Sequence, residues 1–173
     1  MRHRILVMFA ALIAALSLAG ASAASAAPAE PDFTAEAIAS GLTADQAADL
    51  QQRVDEVLAE LPGGKQVSAT EISYDGLNAT VDPLYSGSSY SANAITCASG
   101  WFCIDVRGTR FEFYTCKTWD LTNWWGSSPF NNNQSSGTVA RAYAENGTTL
   151  VWSHKAKGSG SVTVDKWWHF RPC

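Results

Sequence analysis

Between residues 43 and 61 apolar side chains recur at helical spacing. Ala47, Leu50, Val54, Val57, Leu58 and Leu61 share one face, and Asp49, Gln52, Arg53, Asp55 and Glu56 fill the other. Thr43 with Gln46 three positions on is a capping box, and Pro62-Gly63-Gly64 ends the run. The spacing predicts one amphipathic helix of about five turns, with an apolar stripe that needs cover. Val67, Ile72 and Tyr74 then lead into Asp75-Gly76, a turn dipeptide, and residues 77–81 return. This predicts a hairpin over residues 67–81. Residues 83–96 are rich in Ser, Gly and Tyr without periodicity and read as a linker.

From residue 97 onward the pattern is one of short strands. Residues 101–106 and 110–115 flank a tight turn at Arg107-Gly108, with Phe111 and Phe113 alternating with Glu112. Residues 119–130 form an aromatic loop. Residues 139–144 and 149–154 flank Asn146-Gly147, a strong hairpin signal. Residues 155–161 read as a Gly/Ser/Lys loop, residues 162–164 as a weakly pairing stretch and residues 167–171 as the closing strand. Several short strands without a sustained helix predict a compact antiparallel sandwich or barrel.

The first residues change the compartment. Met1-Arg2-His3-Arg4 precedes an apolar run from residue 5 to 18, then small residues with Ala-x-Ala sites at Ala21-Ser22-Ala23 and Ala24-Ser25-Ala26. That layout is a secretory signal peptide over residues 1–26, too short in its apolar part to span a membrane comfortably. An extracellular protein is expected. Residues 24–40 are Ala/Pro-rich and read as the start of a disordered tail.

Export in turn decides how the four cysteines are read: as two disulfides, with three pairings open. The spacing lacks Cys-x-x-Cys, so zinc is not expected. Cys97 and Cys103 are close enough for a local ring, which leaves Cys116 for Cys173. All seven Trp also lie beyond residue 97. The working domain is therefore placed at residues 97–173, and residues 27–82 are read as an acidic accessory segment. Residues 28–96 carry two bases against eleven acids, net −9, while residues 97–173 carry eight against five, net +3. Opposite charge suggests docking of the segment on the domain, although surface charge alone is a weak guide to specific contact.

Candidate chemistry is sparse. His154 and His169 are the histidines beyond the signal peptide. No serine sits in a nucleophile elbow, and no pair among Asp105, Glu112, Asp120, Glu145 and Asp165 has telling spacing. An enzyme is not expected. Asn131-Asn132-Asn133-Gln134-Ser135-Ser136 has amide and hydroxyl oxygens suited to Ca²⁺, with Asn131, Asn132 and Ser135 as ligands. It has no carboxylate and no second copy, so a corner pinned by Ser135 or Ser136 is favoured over a metal site. No other cofactor is expected. Trp124-Trp125 and Trp167-Trp168 are adjacent pairs, and in extended chain one of each faces away from the core. Most Trp are expected to fill the core. The acidic mature chain disfavours nucleic acid.

The second half resembles secreted actinobacterial proteins of peptidase inhibitor family I36, the Streptomyces metalloproteinase inhibitor type. The residues that carry the resemblance are Cys97 to Cys103, Phe111-Glu112-Phe113-Tyr114-Thr115-Cys116, the stretch from Asn131 to Thr138, and Trp167-Trp168-His169-Phe170-Arg171-Pro172-Cys173. Leu42-Thr43-Ala44-Asp45-Gln46-Ala47 is similar to the segment that precedes the domain in such proteins. The resemblance implies a βγ-crystallin-like sandwich of two Greek keys and an inhibitor of extracellular proteases, metalloproteases first. The chain departs from the pattern at its first corner, where Phe113 stands in place of a Gly, so a tighter first hairpin is expected. Candidate contact loops are residues 119–130, with Trp119, Trp124 and Trp125, and residues 155–161, with Lys155 and Lys157. The competing readings are a cell-envelope polysaccharide module using exposed Trp and a calcium-dependent structural protein. A monomer is expected.

Overall fold

The structure is a computed structural model that describes residues 31–87 and 95–173. Residues 1–30, which include the expected signal peptide, and residues 88–94 of the expected linker lie outside the described residues. Two helices and eleven strands follow in the order α1 (Phe33–Ala39), α2 (Ala44–Glu60), β1 (Lys65–Gln66), β2 (Glu71–Tyr74), β3 (Leu77–Val81), β4 (Phe102–Val106), β5 (Thr109–Phe113), β6 (Trp119–Asp120), β7 (Ser127–Asn132), β8 (Val139–Tyr143), β9 (Leu150–Lys155), β10 (Gly158–Thr163) and β11 (His169–Arg171). The strands make two antiparallel sheets, one in the order β1-β2-β3-β5-β4-β7-β10 and one in the order β6-β11-β8-β9.

Helix α2 forms where the 3.6-residue period places it. Thr43 Oγ1 accepts from the Gln46 N–H and the Gln46 side chain accepts from the Thr43 N–H, so the capping box is complete. Leu50, Val54 and Val57 are buried, each worth about 1.5–3 kcal/mol against exposure. Within residues 24–40, read from sequence as a tail, residues 33–39 instead form α1. Asp32 caps it by accepting from the Ala35 N–H, and Ala37 is buried against the core. So short a helix persists through packing rather than propensity.

Register shows which face of the large sheet is apolar. Residues opposite one another in an antiparallel pair share a face. Tyr74↔Leu77, Leu77↔Phe113, Phe102↔Phe113 and Ile104↔Phe130 therefore align Ile72, Tyr74, Leu77, Ala79, Val81, Phe111, Phe113, Phe102, Ile104 and Phe130 on one side. Asn78, Thr80, Arg110 and Glu112 take the other. The apolar face joins one core with the stripe of α2 and with Trp119, Ala140, Ala142, Trp167 and Phe170 of the small-sheet layer. The ring of Phe102 lies 4.8 Å from that of Phe170 and 6.0 Å from that of Phe130.

The hairpin is not a loosely held appendage. β3 pairs with β5 over five residues, from Leu77↔Phe113 to Val81↔Thr109, and lies inside the large sheet. Arg53 of α2 donates to the carbonyls of Asp82 and Pro83. The helix, the hairpin and the strands beyond residue 97 belong to one unit, Asp32–Cys173. The sequence boundary missed this because backbone pairing between distant strands leaves no compositional mark.

Both disulfides are present, Cys97–Cys103 and Cys116–Cys173, with Cα separations of 5.7 and 5.5 Å. The second closes a long loop and constrains the unfolded chain by about 2–4 kcal/mol. β4 and β5 are joined by Arg107-Gly108 alone, both at positive φ, +49° and +78°. That is the backbone of a primed two-residue turn. A Cβ on Gly108 would also meet the Tyr85 ring at 2.3 Å. Residues 155–161, read from sequence as a loop, are instead the end of β9, a short turn and the start of β10. The strand forms because β7 offers it a six-residue partner, from Gly158↔Asn132 to Thr163↔Ser127. Pro129 is tolerated in β7 because β4 pairs only with residues 130–132, so no ladder bond is lost on that side.

Candidate functional site

The aromatic loop after β6 brings together the features that stand out from simple packing. Trp119 and Trp124 are buried, 6% and 8% exposed, whereas Trp125 is 55% exposed. Trp124 packs on Phe111 and Trp167, with ring centroids at 4.9 and 6.3 Å. Burying one Trp of the pair turns its neighbour outward. Trp167 and Trp168 divide in the same way, at 4% and 46% exposed.

Around Trp125 the loop is pinned on every side. The Arg107 guanidinium lies 5.0 Å from the Trp125 ring centroid, a cation–π contact. Arg107 also donates to the Asn123 carbonyl at 3.3 Å and pairs with Glu60 at 3.5 Å. Asn123 donates from Nδ2 to Glu60 Oε1 at 2.6 Å. On the other side the Gly126 N–H donates to Asp165 Oδ1 at 2.6 Å, and the Gly126 carbonyl accepts from Val164. A cleft of about 90 Å³ opens between α2, the β4–β5 turn and the loop, with Val57, Val106, Phe111 and Trp124 in its wall.

Arg107 and Asn123 are the non-glycine residues at positive φ among the described residues, at +49° and +60°. The left-handed region is uncommon for a side-chain-bearing residue, and Arg is not among the types enriched there. Arg107 holds that conformation in the β4–β5 turn, and Asn123 is a type that tolerates it. Sequence reading found Trp125 and the Arg107-Gly108 turn. It missed Asn123 and Glu60, because nothing in the chain between residues 60 and 123 signals that the end of α2 meets this loop. Lys155 and Lys157 are exposed near the β9–β10 turn. They contribute nothing to the Trp125 cluster.

The stretch from Asn131 to Ser136 acts as a corner, but through its amides. Asn131 Nδ2 donates to Ile95 O at 2.8 Å, Asn132 Nδ2 to His154 O at 3.0 Å and Asn133 Nδ2 to Cys97 O at 2.8 Å. Asn132 is fully buried on the apolar face and ties the large sheet to β9. Ser135 and Ser136 are exposed, and the corner closes on the Ser135 carbonyl, which accepts from Thr138. Neither hydroxyl makes a hydrogen bond that pins it among the described residues. Among the described residues no group of three or more His, Cys, Asp or Glu gathers to hold a metal. The Asn side chains are tied to backbone carbonyls and the stretch has no carboxylate, so the melting temperature in chelator and in millimolar Ca²⁺ is expected to agree within about one degree. A large upward shift would restore Asn131, Asn132 and Ser135 as ligands.

His169 faces outward on the small sheet. Its Nδ1 is 2.6 Å from Asp120 Oδ1 and its Nε2 is 3.2 Å from the Glu145 carbonyl. Both partners only accept, so the ring satisfies both as the imidazolium. The Asp120 hydrogen bond, then the Glu145 carbonyl, raise its pKa above the ordinary value, against a small lowering by burial. A raised folded pKa adds stability that is complete below the ordinary histidine value and is lost as pH rises through the raised one. The folded protein is expected to lose no more than about 1 kcal/mol over that rise, as suits an exposed pair. His169→Gln should flatten the stability profile there; an unchanged slope in urea titrations would place the pH dependence elsewhere.

Comparison with protein-family models, with curated proteins and with solved structures gives no match for the chain. Two disulfides fit an extracellular protein, and among the described residues no helix is long and apolar enough to cross a membrane.

Proposed function

We propose that the protein is a secreted, non-enzymatic binding protein that inhibits an extracellular protease, metalloproteases first, and that the loop carrying Trp125 makes the contact. The observation that carries this reading is a large aromatic side chain, 55% exposed, held by Arg107 on a loop whose backbone is fixed from both sides. A fixed loop loses little ordering entropy on binding, and Trp and Arg are the side chains most often found at the energetic centre of an interface. The resemblance to family I36, with its βγ-crystallin-like Greek keys, supplies the protease target; two facing antiparallel sheets with non-sequential strand order support that architecture. The test is inhibition of a thermolysin-type metalloprotease and of a serine protease by the purified chain from residue 27. Trp125→Ala should keep the fold and weaken inhibition at least tenfold, a loss typical of an interface anchor. Full inhibition by that variant would move the contact to another loop.

A second reading is favoured by the exposure of Trp168 as well as Trp125. Two outward Trp faces suit the stacking of sugar rings in a cell-envelope polysaccharide. Retention on cell wall or chitin, lost in the double variant Trp125→Ala/Trp168→Ala, combined with no protease inhibition, would establish it.

A further inference from the structure

The two sheets end on the same side of the molecule. β10 is the last strand of the large sheet and β9 the last strand of the small one, and a short turn joins them. Between them runs a groove of about 210 Å³, floored by Val151, Trp152, Val162 and Trp167, with Lys166 at its rim. The rings of Trp152 and Trp167 lie 4.7 Å apart at its base.

β10 reads Gly158-Ser159-Gly160-Ser161-Val162-Thr163. It pairs with β7 along its whole length and, among the described residues, has no strand partner on the other side. Natural edge strands are blunted by charged side chains, Pro, bulges or extreme shortness, and β10 has none of these across six regularly paired residues. Its small side chains leave the backbone open to close approach. Lys155, Lys157 and Lys166 flank the strand, all exposed, and among the described residues none is in an ion pair. The nearby Asp165 is engaged by the Gly126 N–H.

We propose that the β10 edge is a strand-addition site for an extended acidic segment of a partner protein. The added strand forms main-chain hydrogen bonds with β10, sets alternate apolar side chains on the Trp152–Trp167 floor and turns acidic ones toward the flanking lysines. Main-chain pairing gives affinity and the alternate side chains give specificity, as in other strand-addition interfaces. A second copy of this chain is the poorer occupant. Antiparallel pairing of two β10 strands would bring Lys157 of one copy toward Lys166 of the other, and like charges oppose that. The inference stands whether or not the target of Trp125 is a protease.

The test uses the ¹⁵N-labelled chain from residue 27 and the hexapeptide acetyl-(Glu-Val)₃-amide, with (Lys-Val)₃ and two N-methylated forms of the acidic peptide, one methylated at every Val and one at every Glu. The acidic peptide should shift and protect amides of residues 150–163. The Lys peptide should bind at least tenfold more weakly. In an antiparallel ladder only alternate N–H groups face the neighbouring strand, so one methylated form should lose binding at least tenfold and the other should keep it. Equal binding by both methylated forms and the parent, preference for the Lys peptide, shifts confined to other strands, or no shift at millimolar peptide would each overturn the proposal. So would concentration-dependent protection of the same amides without peptide, which would assign the edge to a second copy.

Discussion

A chain that begins at residue 91 is expected not to fold. The cut removes α1, α2 and β1 to β3, which sequence composition sets apart from the disulfide-bonded half. In the structure it strips β5 of a five-residue partner and turns a central strand into an edge. It also uncovers Phe111 and Phe113, at 4% and 0% exposed, and Val106 beneath the end of α2. Losing the buried Leu50, Val54, Ile72, Leu77 and Val81 forfeits about 1.5–3 kcal/mol for each, in sum comparable to the whole stability of an ordinary domain, about 5–15 kcal/mol. Circular dichroism and urea unfolding decide it. The chain from residue 27 should show one cooperative transition and the shortened chain none. A cooperative transition in the shortened chain would mean that the β3–β5 pairing is dispensable.

The second large effect is Phe102→Ala. Phe102 is fully buried at the point where the sheets meet, and its ring approaches Phe113 at 6.3 Å, Phe130 at 6.0 Å, Trp152 at 6.1 Å and Phe170 at 4.8 Å. These partners come from β5, β7, β9 and β11, so no single element can close the void by shifting. A loss of about 3–5 kcal/mol is expected, the range for a large aromatic removed from a rigid core. Trp168→Ala, which removes a half-exposed ring, is the control and should stay within about 1 kcal/mol. Denaturant unfolding should show the midpoint falling with the slope unchanged. A loss below about 1 kcal/mol would mean the core is loosely packed there.

What the sequence reveals most clearly is local. The period of α2, its capping box, the Arg107-Gly108 and Asn146-Gly147 turns and the division of the Trp pairs all follow from neighbours a few residues apart. Two things escaped for opposite reasons. Residues 158–161 of β10 read as a loop because Gly and Ser carry no strand preference, and β7 supplies the order that those residues do not. The union of the two halves escaped because β3 finds β5 across residues 82–108, through backbone hydrogen bonds that do not depend on which side chains are present. The site was half legible. Trp125 was visible as one of a pair, but the charges that hold it, Arg107 and Glu60, lie far apart in sequence and carry no motif.

The interior place of β3 also bears on how fast the molecule assembles. Its hairpin with β2 is local and forms in microseconds, yet alone it is marginal. The β3 edge of that hairpin is not secured until residues 109–113 arrive, and β4 must then await β7, which awaits β10. Each step closes a long stretch of chain before any contact repays the entropy, the situation in which folding runs in milliseconds to seconds rather than microseconds. During that interval the apolar side of a half-built sheet faces water. For this chain the hazard of aggregation therefore lies on the way to the native state, and it is greatest before the last strand of the large sheet has paired.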